Sequence, residues 1–416
     1  MQFGTSGVIA IVLAKGGWTL EQIAIYEALL FMGGIYTFFW LAGGNNALLQ
    51  LFPKLDSESG RRGLFNSFLL FTAAGILSGL LIYGTANLVI DKITKFSTLP
   101  YLGLLSVYIA INAPTLFIHV YYLLLGQFKK IIFFGMIGFS LQLAAVAIPV
   151  LTGLGLKEVL YCLIAWASFK FVWVVVLIYR HTQWRLDPSF LRKYWHLALP
   201  LLLLAFIGKG SEYASTFLVT ALFSDETAFA IYRYGAREIP LSLIMLSALA
   251  TSLLPVASGN LEEGLKAIRK HSTRLAHFLF PVSIVFMVLS PVLFPLVFSP
   301  EFKPSAYIFN TLAFYLSNRI LMPQVLTMAR GHNFAVTMSA LIEFFAVVLL
   351  CYLLGRSFGL VGIAMGSVLA FFVDRIYLII YNWKKLGIHP SSYINWRVYL
   401  VYNALLIAAY CISFQM

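Results

Sequence analysis

Residues 334–381 read FAVTMSALIEFFAVVLLCYLLGRSFGLVGIAMGSVLAFFVDRIYLIIY, and this stretch decides the fold class of the chain. It contains two apolar runs, Phe334–Leu354 and Gly359–Tyr381, separated by four residues. An α-helix needs about 20 predominantly apolar residues to cross the hydrocarbon core of a bilayer, and each run has that length. The stretch therefore predicts two consecutive transmembrane helices.

The composition extends this prediction to the whole chain. Of the 416 residues, 61% are hydrophobic and only 11% are charged, whereas a soluble domain has about 25% charged residues. Such a chain cannot cover a water-facing surface with polar groups, so most of its surface must face lipid. The composition excludes a secreted module, a cytosolic enzyme and a nucleic-acid-binding protein.

The apolar runs predict an all-α polytopic membrane protein with about twelve transmembrane helices. The first run is short for a span, and a thirteenth run at the C-terminus is marginal in length. The predicted spans are Phe3–Ala14, Ile23–Gln50, Leu64–Ile90, Leu99–Leu125, Ile131–Leu151, Val159–Arg180, Tyr194–Phe223, Ala230–Pro255, Leu275–Phe298, Ser305–Ala329, Phe334–Leu354, Gly359–Tyr381 and Val398–Phe414.

The net charge of +13 is explained by membrane topology. With a cytoplasmic N-terminus, the cytoplasmic loops hold 17 Lys and Arg residues and the outside loops hold six. This asymmetry follows the positive-inside rule, and it makes anionic membrane lipids the natural partners of the basic loops. The three longest of those loops, Arg180–Tyr194, Val256–Arg274 and Asn382–Arg397, are expected to hold interfacial helices or to be solvated linkers. Asp187 before Pro188 and Asn260 before Leu261 are predicted N-caps of such helices.

An internal repeat divides the chain. Ala24-Ile25-Tyr26 and Ala230-Ile231-Tyr232 each follow a short polar outside loop and open a long apolar helix that ends near a proline. Six helices separate the copies, so both halves have the same orientation, as in parallel-repeat transporters. The predicted parts are an N-terminal six-helix lobe (1–180), a cytoplasmic linker (181–193), a C-terminal six-helix lobe (194–382) and a final loop with the extra apolar helix (383–416).

Eleven charged residues fall inside the predicted spans. Each would cost about 2.5–3.5 kcal/mol at a lipid-facing helix centre, so they must be paired or face a wet cavity. The cations are Lys170, Lys209, Arg233, Arg237, Arg319 and Arg375, and the acids are Glu27, Glu212, Glu238, Glu343 and Asp374.

These charges allow two interpretations. Pairing that fixes helix packing is expected for Asp374–Arg375 and for Arg233. Lys209, Arg237 and Arg319, with Lys170, are the candidates for a cationic cavity that binds an anionic head group, because arginine can bind two phosphate oxygens at once. Glu212 and Glu343 either bind a coupling H⁺ or Na⁺ or act as counterions to those cations.

Glycines in the spans have similar alternatives. The pair Gly43-Gly44 marks either a helix break that lines a cavity or a site of close helix packing. Gly362 and Gly366 have the spacing of a packing motif. The sequence contains no GxSxG, HExxH or Walker motif and no metal-ligand spacing among its histidines and cysteines, so we expect no catalytic site, no metal and no cofactor.

Several segments resemble one transporter family. These are Phe3-Gly4 leading to Ala24-Ile25-Tyr26, Glu212 followed by Ala230-Ile231-Tyr232 and Gly235-Ala236-Arg237, Phe298-Ser299-Pro300-Glu301-Phe302 with Ala306, Gly331-His332-Asn333, and residues 358–364 (FGLVGIA). Together they resemble polysaccharide flippases of the O-antigen type, in the multidrug, oligosaccharidyl-lipid and polysaccharide exporter superfamily. The likeness covers nearly the whole chain, through soft motifs of small and apolar residues.

The resemblance implies two six-helix lobes forming a V around a central cavity. It also implies that undecaprenyl-diphosphate-linked oligosaccharides are flipped from the cytoplasmic to the periplasmic leaflet of the bacterial inner membrane. Glu212 and Arg237 occupy family-like positions, while Arg319 and Lys170 rest on the charge argument alone. The short first helix and the thirteenth apolar run depart from the family pattern.

The sequence thus predicts a flippase for a lipid-linked glycan, such as an O-antigen unit, working by alternating access. One alternative is a cation-coupled multidrug extruder of the same fold, and a second is a membrane glycan polymerase or ligase. The sugar, the coupling ion and the oligomeric state are left open by the sequence.

Overall fold

The computed structural model describes residues 2–93, 99–237 and 240–415, and every regular element in them is a helix. The predicted all-α class is therefore confirmed. The α-helices are α1 (Gln2–Lys15), α2 (Leu20–Ile35), α3 (Phe38–Leu51), α4 (Ser57–Ile93), α5 (Leu102–Thr115), α6 (Phe117–Leu124), α7 (Phe128–Leu151), α8 (Leu156–His181), α9 (Pro188–Leu222), α10 (Glu226–Gly235), α11 (Pro240–Gly259), α12 (Leu261–Val297), α13 (Lys303–Leu312), α14 (Tyr315–Arg319), α15 (Pro323–Ala329), α16 (Asn333–Leu386) and α17 (Trp396–Ser413).

Nine helical segments in the described ranges are long and apolar enough to cross a membrane, one of them formed by α5 together with α6, and α2 with α3 makes a tenth span bent by 45°. This identifies the chain as a multi-pass membrane protein. The number of continuous helices differs from the predicted span number because several predicted spans are built from two or three helices. These are α2–α3, α5–α6, α10–α11 and α13–α15, whereas α16 contains two predicted spans.

The breaks have local causes. Pro114 lies in the last turn of α5, where it has no N–H to donate to the carbonyl four residues earlier and so weakens the helix next to the break. Met322, between α14 and α15, has a left-handed backbone with φ 48°, and Pro323 follows it. Gly359 divides α16 with φ 64° and ψ −145°, a conformation that is open essentially only to glycine.

The predicted N-caps are confirmed, with one correction. The Asp187 carboxylate accepts the Phe190 N–H at 3.0 Å, and the Asn260 amide oxygen accepts the N–H groups of Glu262 and Glu263. The expected separate interfacial helices are wrong at these two loops. The caps open α9 and α12 directly, since neither sequence has a breaker between the cap and the apolar run.

By its packing the chain divides into two compact units, Met1–Gly210 with Ser224–Ala230 and Ser211–Phe223 with Ile231–Met416. We call them unit 1 and unit 2. The lobe boundaries expected from the sequence, including the 181–193 linker, stay predictions. The core of unit 1 contains Leu48, Phe71, Phe117, Tyr121 and Phe190, which belong to α3, α4, α6 and α9.

Close helix contacts in unit 1 depend on glycine. A Cβ on Gly43 would lie 2.6 Å from the Leu202 Cα, so the packing interpretation of this glycine is confirmed. A Cβ on Gly79 would lie 2.7 Å from the Ser106 carbonyl oxygen, which places α4 directly against α5.

The core of unit 2 is built around α12, and the thirteenth apolar run belongs to it. That run forms α17, which packs along α12 and meets the criteria for a span. Asn310 of α13 donates to the Ser413 hydroxyl at 2.9 Å and accepts from Ser290 of α12 at 2.7 Å. Gly366 packs against the Cys351 backbone across the break in α16, which confirms its packing role.

Candidate functional site

The strongest candidate site lies in unit 2, where Arg319 ends the short helix α14. Arg319 lines a small pocket that is partly open to the outside of the protein. Ser242, Ser283 and Tyr315 add hydroxyl groups to the same pocket, and Phe309 and Leu312 belong to its apolar wall. A guanidinium, three hydroxyls and an apolar wall can bind an anionic group that carries polar and apolar neighbours.

Two aromatic rings hold the Arg319 guanidinium. Its central carbon lies 5.1 Å from the centroid of Tyr315 and 5.9 Å from that of Phe371, both within the range of cation–π attraction. Tyr315 and Phe371 also meet edge to face, with their centroids 5.5 Å apart. The two rings therefore stabilise the positive charge of Arg319 beside the pocket.

Arg375 also contacts the Phe371 ring. Its guanidinium lies 4.4 Å from the Phe371 centroid and donates a hydrogen bond to the Gln324 side chain. Its Nε lies 3.2 Å from an Asp374 carboxylate oxygen, although without hydrogen-bond alignment. Both side chains are buried, with 8% and 4% exposure, so the predicted Asp374–Arg375 pairing is confirmed.

Glu343 connects this pair to Arg319. The half-buried Glu343 interacts with the Ser211 hydroxyl of α9 and with the charges of Asp374, Arg375 and Arg319. Arg319 and Arg375 both contact the Phe371 ring, and their charges act on those of Glu343 and Asp374; we call these four charged residues the network. Because the charges interact, an anion that binds Arg319 must change the free energy of protonating Glu343, and the reverse also holds.

Arg237 lies near the same pocket. It follows the pocket-lining Gly235 by two residues, and its guanidinium lies 4.8 Å from the Tyr234 ring centroid. Glu238, the next predicted intramembrane acid, lies outside the described residues. The structure thus places Arg319 and Glu343 in one network and brings Arg237 to the adjacent turn.

The other predicted residues lie elsewhere. Lys170 is in unit 1, where its ammonium donates to the Asn112 amide oxygen at 2.6 Å and lies 5.6 Å from the Trp166 ring centroid. Lys209 and Glu212 are exposed on α9, and the division between the units falls between them. No unit therefore contains all four predicted cations, and the single cationic cavity remains a prediction.

The aromatic residues in contact with this network were not expected from the sequence. Tyr315 precedes Arg319 by four residues, and Phe371 precedes Arg375 by four, which is the spacing of neighbouring side chains on a helix. That spacing was an available signal for both cation–π pairs. The contact between Phe371 and Arg319 joins α16 to α14. It could not be predicted from the spacing of residues along one helix.

Several solved structures share the fold of this chain. The lipid II flippase MurJ, in an inward closed conformation, superposes with a TM-score of 0.74 at 14% identity, covering 99% of this chain and 95% of that chain. An inward-facing multidrug resistance MATE family transporter of the MOP superfamily gives 0.70 at 16% identity, with 97% and 94% covered. A MOP superfamily transporter from Pyrococcus furiosus, described as having a binding pocket of reverse polarity, gives 0.60 at 13%, with 98% and 93% covered.

At such low sequence identity these superpositions show only the fold, which this chain shares with MurJ and the MATE transporters. No curated protein matches the sequence. A family model described as "Polysaccharide biosynthesis protein" matches residues 24–307, which include Arg237 and Glu212 but end before Arg319 and Glu343. Since this match covers most of the 416 residues, the chain belongs to the polysaccharide biosynthesis protein family.

Proposed function

We propose that this protein is a flippase that moves an undecaprenyl-diphosphate-linked oligosaccharide, an O-antigen or another surface polysaccharide unit, across the bacterial inner membrane. Family membership and the fold shared with MurJ support a transport role in polysaccharide synthesis. The observation that carries the proposal is Arg319, a cation within the predicted span Ser305–Ala329 that lines a pocket and contacts two aromatic rings.

In the proposed mechanism Arg319 and Arg237 neutralise the diphosphate of the lipid-linked glycan. The planar guanidinium suits this role because it donates two parallel hydrogen bonds to adjacent phosphate oxygens. Lys170 and Lys209 would bind the same substrate at other stages of its passage. The prenyl tail stays in lipid, and the protein exposes its site to the two sides of the membrane in turn. No bond is made or broken, so we propose a transporter and not an enzyme.

Glu343 is proposed to couple transport to an ion gradient or to the membrane potential. Its interaction with Arg319 means that H⁺ or Na⁺ at Glu343 and diphosphate at Arg319 change each other's binding free energy. Glu212 is the second candidate for this role. The proposed location is the inner membrane, with the N-terminus in the cytoplasm, because this orientation places most loop cations inside.

The test is the amount of surface glycan in cells that carry Arg319→Ala or Arg237→Ala at equal membrane expression. We expect each variant to lower surface glycan by about tenfold or more, since a charge-assisted contact is worth about 1.5–3 kcal/mol. Arg356→Ala is the matched control, because Arg356 is an exposed cation that contacts Tyr352 of its own helix. Unchanged glycan from both test variants would sink the proposal for a cationic site.

A multidrug extruder is the second candidate, favoured by the fold shared with MATE transporters and by the acids Glu343 and Asp374. Cationic drugs would require those acids and not the arginines. A drug-resistance assay separates the two functions, because an extruder should lose resistance in Glu343→Gln and keep it in Arg319→Ala. Activity on a purified lipid-linked glycan without transfer between leaflets would instead favour a polymerase or ligase.

A further inference from the structure

Lys170 lies on the side of α8 that is turned away from lipid. The lipid-facing side of this helix is marked by Phe169, Val172 and Val176, which are 56%, 60% and 41% exposed. Because an α-helix has 3.6 residues per turn, Lys170 falls on the other side, one turn after the buried Trp166. Lys170 is nevertheless partly exposed. The space that its ammonium reaches is therefore inside the protein and not in the lipid.

The charge of Lys170 is not compensated by an acid. Among the residues that the structure describes, no carboxylate pairs with it, and its contacts are the Asn112 oxygen and the Trp166 ring. His119 of α6, a second basic group, lies close enough for its charge to interact with that of Lys170. A positive cluster inside a membrane span is costly without a counterion. It repels Na⁺, whereas an anion would compensate its charge.

Most of the hydrogen-bonding capacity left in this cluster consists of donors. The Asn112 side-chain oxygen already accepts from Lys170, while its amide NH₂ group has no partner in the described part of the chain. Lys170 uses one of the three N–H groups of its ammonium in that bond. The ring nitrogens of His119 are also unbonded within the described ranges, and neither they nor the Asn112 nitrogen are sealed from solvent. Accessible donors beside a positive charge are what binds an oxyanion.

A break in the membrane span lies beside the same cluster. The helix α5 ends at Thr115 and α6 begins at Phe117, so the span is interrupted between Asn112 and His119. Irregular backbone at membrane depth is tolerated where it is buried in protein or lines a cavity. Since Asn112 and His119 are both partly exposed, the break is consistent with a small polar cavity at this point of unit 1.

The number of charges favours one kind of oxyanion. A diphosphate carries at least two negative charges, which suits the two arginines proposed to bind it in unit 2. Lys170 supplies a single positive charge, and a sugar carboxylate supplies a single negative charge. Trp173, one turn after Lys170 on α8 and partly exposed, adds an apolar surface for a sugar ring.

We infer that Lys170, Asn112 and His119 bind the carboxylate of an acidic sugar in the transported glycan. The ammonium of Lys170 supplies the charge, and the Asn112 amide and the His119 ring donate to the same carboxylate. The inference rests on the proposed flippase function and names the class of its substrate, a glycan unit that contains a uronic-acid-type residue. The diphosphate of that substrate binds separately, at Arg319.

Two matched lipids test the inference in native mass spectrometry of the purified full chain. Both are undecaprenyl-diphosphate-linked disaccharides, and they differ only in ending with glucuronic acid or with glucose. We expect the wild-type protein to retain the acidic lipid about tenfold better, as one charge-assisted hydrogen bond allows. Lys170→Met should abolish this preference, and Lys170→Arg should keep it. Lys157→Met is the control, because Lys157 is an exposed cation of α8 that contacts Tyr161 of its own helix.

Asn112→Asp tests the site without removing the lysine. Its carboxylate gives Lys170 an internal counterion, so the preference for the acidic lipid should disappear in a protein that is still folded by its melting curve. Arg319→Ala should weaken both lipids equally and leave the preference unchanged, because it acts on the diphosphate.

The outcomes separate this inference from the flippase proposal. Equal retention of the two lipids by the wild type, or an unchanged preference in a folded Lys170→Met, would overturn the inference alone. Undecaprenyl diphosphate without sugar identifies the other source of oxyanions. If Lys170→Met weakens its retention as much as that of the acidic lipid, the site binds diphosphate and the assignment to an acidic sugar is wrong. Failure of the wild type to retain any of the three lipids would contradict both proposals.

Discussion

Lys170 and Asn112 are joined by a hydrogen bond of 2.6 Å between two helices of unit 1, although 58 residues separate them in the chain. The ammonium of Lys170 in α8 donates to the side-chain oxygen of Asn112 in α5. Both side chains are half-buried within membrane spans, where a cation needs an acceptor. The contact is therefore part of what makes a lysine tolerable at this depth.

Replacing Asn112 should destabilise unit 1 through Lys170. Asn112→Leu removes the acceptor, and we expect a loss of about 1–2 kcal/mol in the free energy of unfolding, the upper range for interhelical hydrogen bonds in membranes. Asn112→Asp keeps an oxygen acceptor and should retain the stability. Thermal melting of the purified protein in detergent measures both. Asn403→Leu is the control, since Asn403 donates to the Tyr399 carbonyl of its own helix. Equal losses at the two positions would contradict an interhelical role for Asn112.

Gly43→Ala should destabilise unit 1 because the two helices are already in contact. The new Cβ would lie 2.6 Å from the Leu202 Cα, and a backbone atom cannot move aside as a flexible side chain can. We expect a loss of about 1–3 kcal/mol, the usual cost of overpacking. Gly208→Ala is the matched control in the same unit, because no atom lies within 4 Å of its added Cβ. That variant should be neutral or more stable by about 0.5–1 kcal/mol. Equal melting temperatures for the two variants would count against the close approach.

Much of the fold could be predicted from the sequence because lipid imposes a simple requirement on length and hydrophobicity. The apolar runs predicted most of the segments that are long and apolar enough to span a membrane, and Asp187 and Asn260 were identified as N-caps because capping depends on adjacent residues alone. The pairing of Asp374 with Arg375 was equally local.

The candidate site could be predicted only in part, because it depends on which helix faces meet. Arg319 and Glu343 were identified because they are charged residues within apolar predicted spans. The Phe371 ring beside Arg319 belongs to a different helix, so the sequence did not indicate that contact. The left-handed Met322, which ends the segment that carries Arg319, has no signal of its own in the sequence except the following proline. Lys209 was assigned to the cationic cavity from its charge alone, and the charge of a residue does not indicate which side chains it contacts.

Gly359→Ala should destabilise unit 2 although the added methyl group meets no atom within 4 Å. The cost comes from the backbone, since φ 64° with ψ −145° is a conformation that an L side chain rarely adopts. We expect a loss of about 1–3 kcal/mol, measured by thermal melting. Gly103→Ala, in helix α5 and equally free of close atoms, should cost nothing. If both variants melt like the wild type, the break in α16 does not require glycine.

Asp187 should make the stability of unit 1 depend on pH. Its carboxylate accepts hydrogen bonds from the Ser189 hydroxyl at 2.6 Å and from the Phe190 N–H at 3.0 Å. These contacts, Ser189 first, hold the pKa of Asp187 below its ordinary value of 3.8. A carboxyl whose pKa is lowered by folding stabilises the folded state above its ordinary pKa, and this contribution disappears as the pH falls through the folded-state pKa.

The matching variant is Asp187→Ala, measured by thermal melting between pH 7 and pH 3. At pH 7 we expect a loss of about 0.5–2 kcal/mol, the usual contribution of an N-cap, and the gap to the wild type should narrow below about pH 4. Asp187→Asn keeps an oxygen acceptor without a titrating group, so its gap to Asp187→Ala should not change with pH. A gap between wild type and Asp187→Ala that is constant over this range would show that the carboxylate charge contributes nothing.

The buried charges of Asp374 and Arg375 should stabilise each other. Because both side chains are nearly inaccessible, removing one leaves an uncompensated charge, which typically costs about 3–5 kcal/mol. Asp374→Ala and Arg375→Met should therefore each be strongly destabilising, with Arg375→Met also removing the donor to Gln324. The double variant Asp374→Ala/Arg375→Met removes both charges, and it should be clearly more stable than the sum of the single losses predicts. A double-mutant cycle by thermal melting measures this coupling. Additive losses would mean that the two charges are stabilised by other members of the network, of which Glu343 and Arg319 are the nearest candidates.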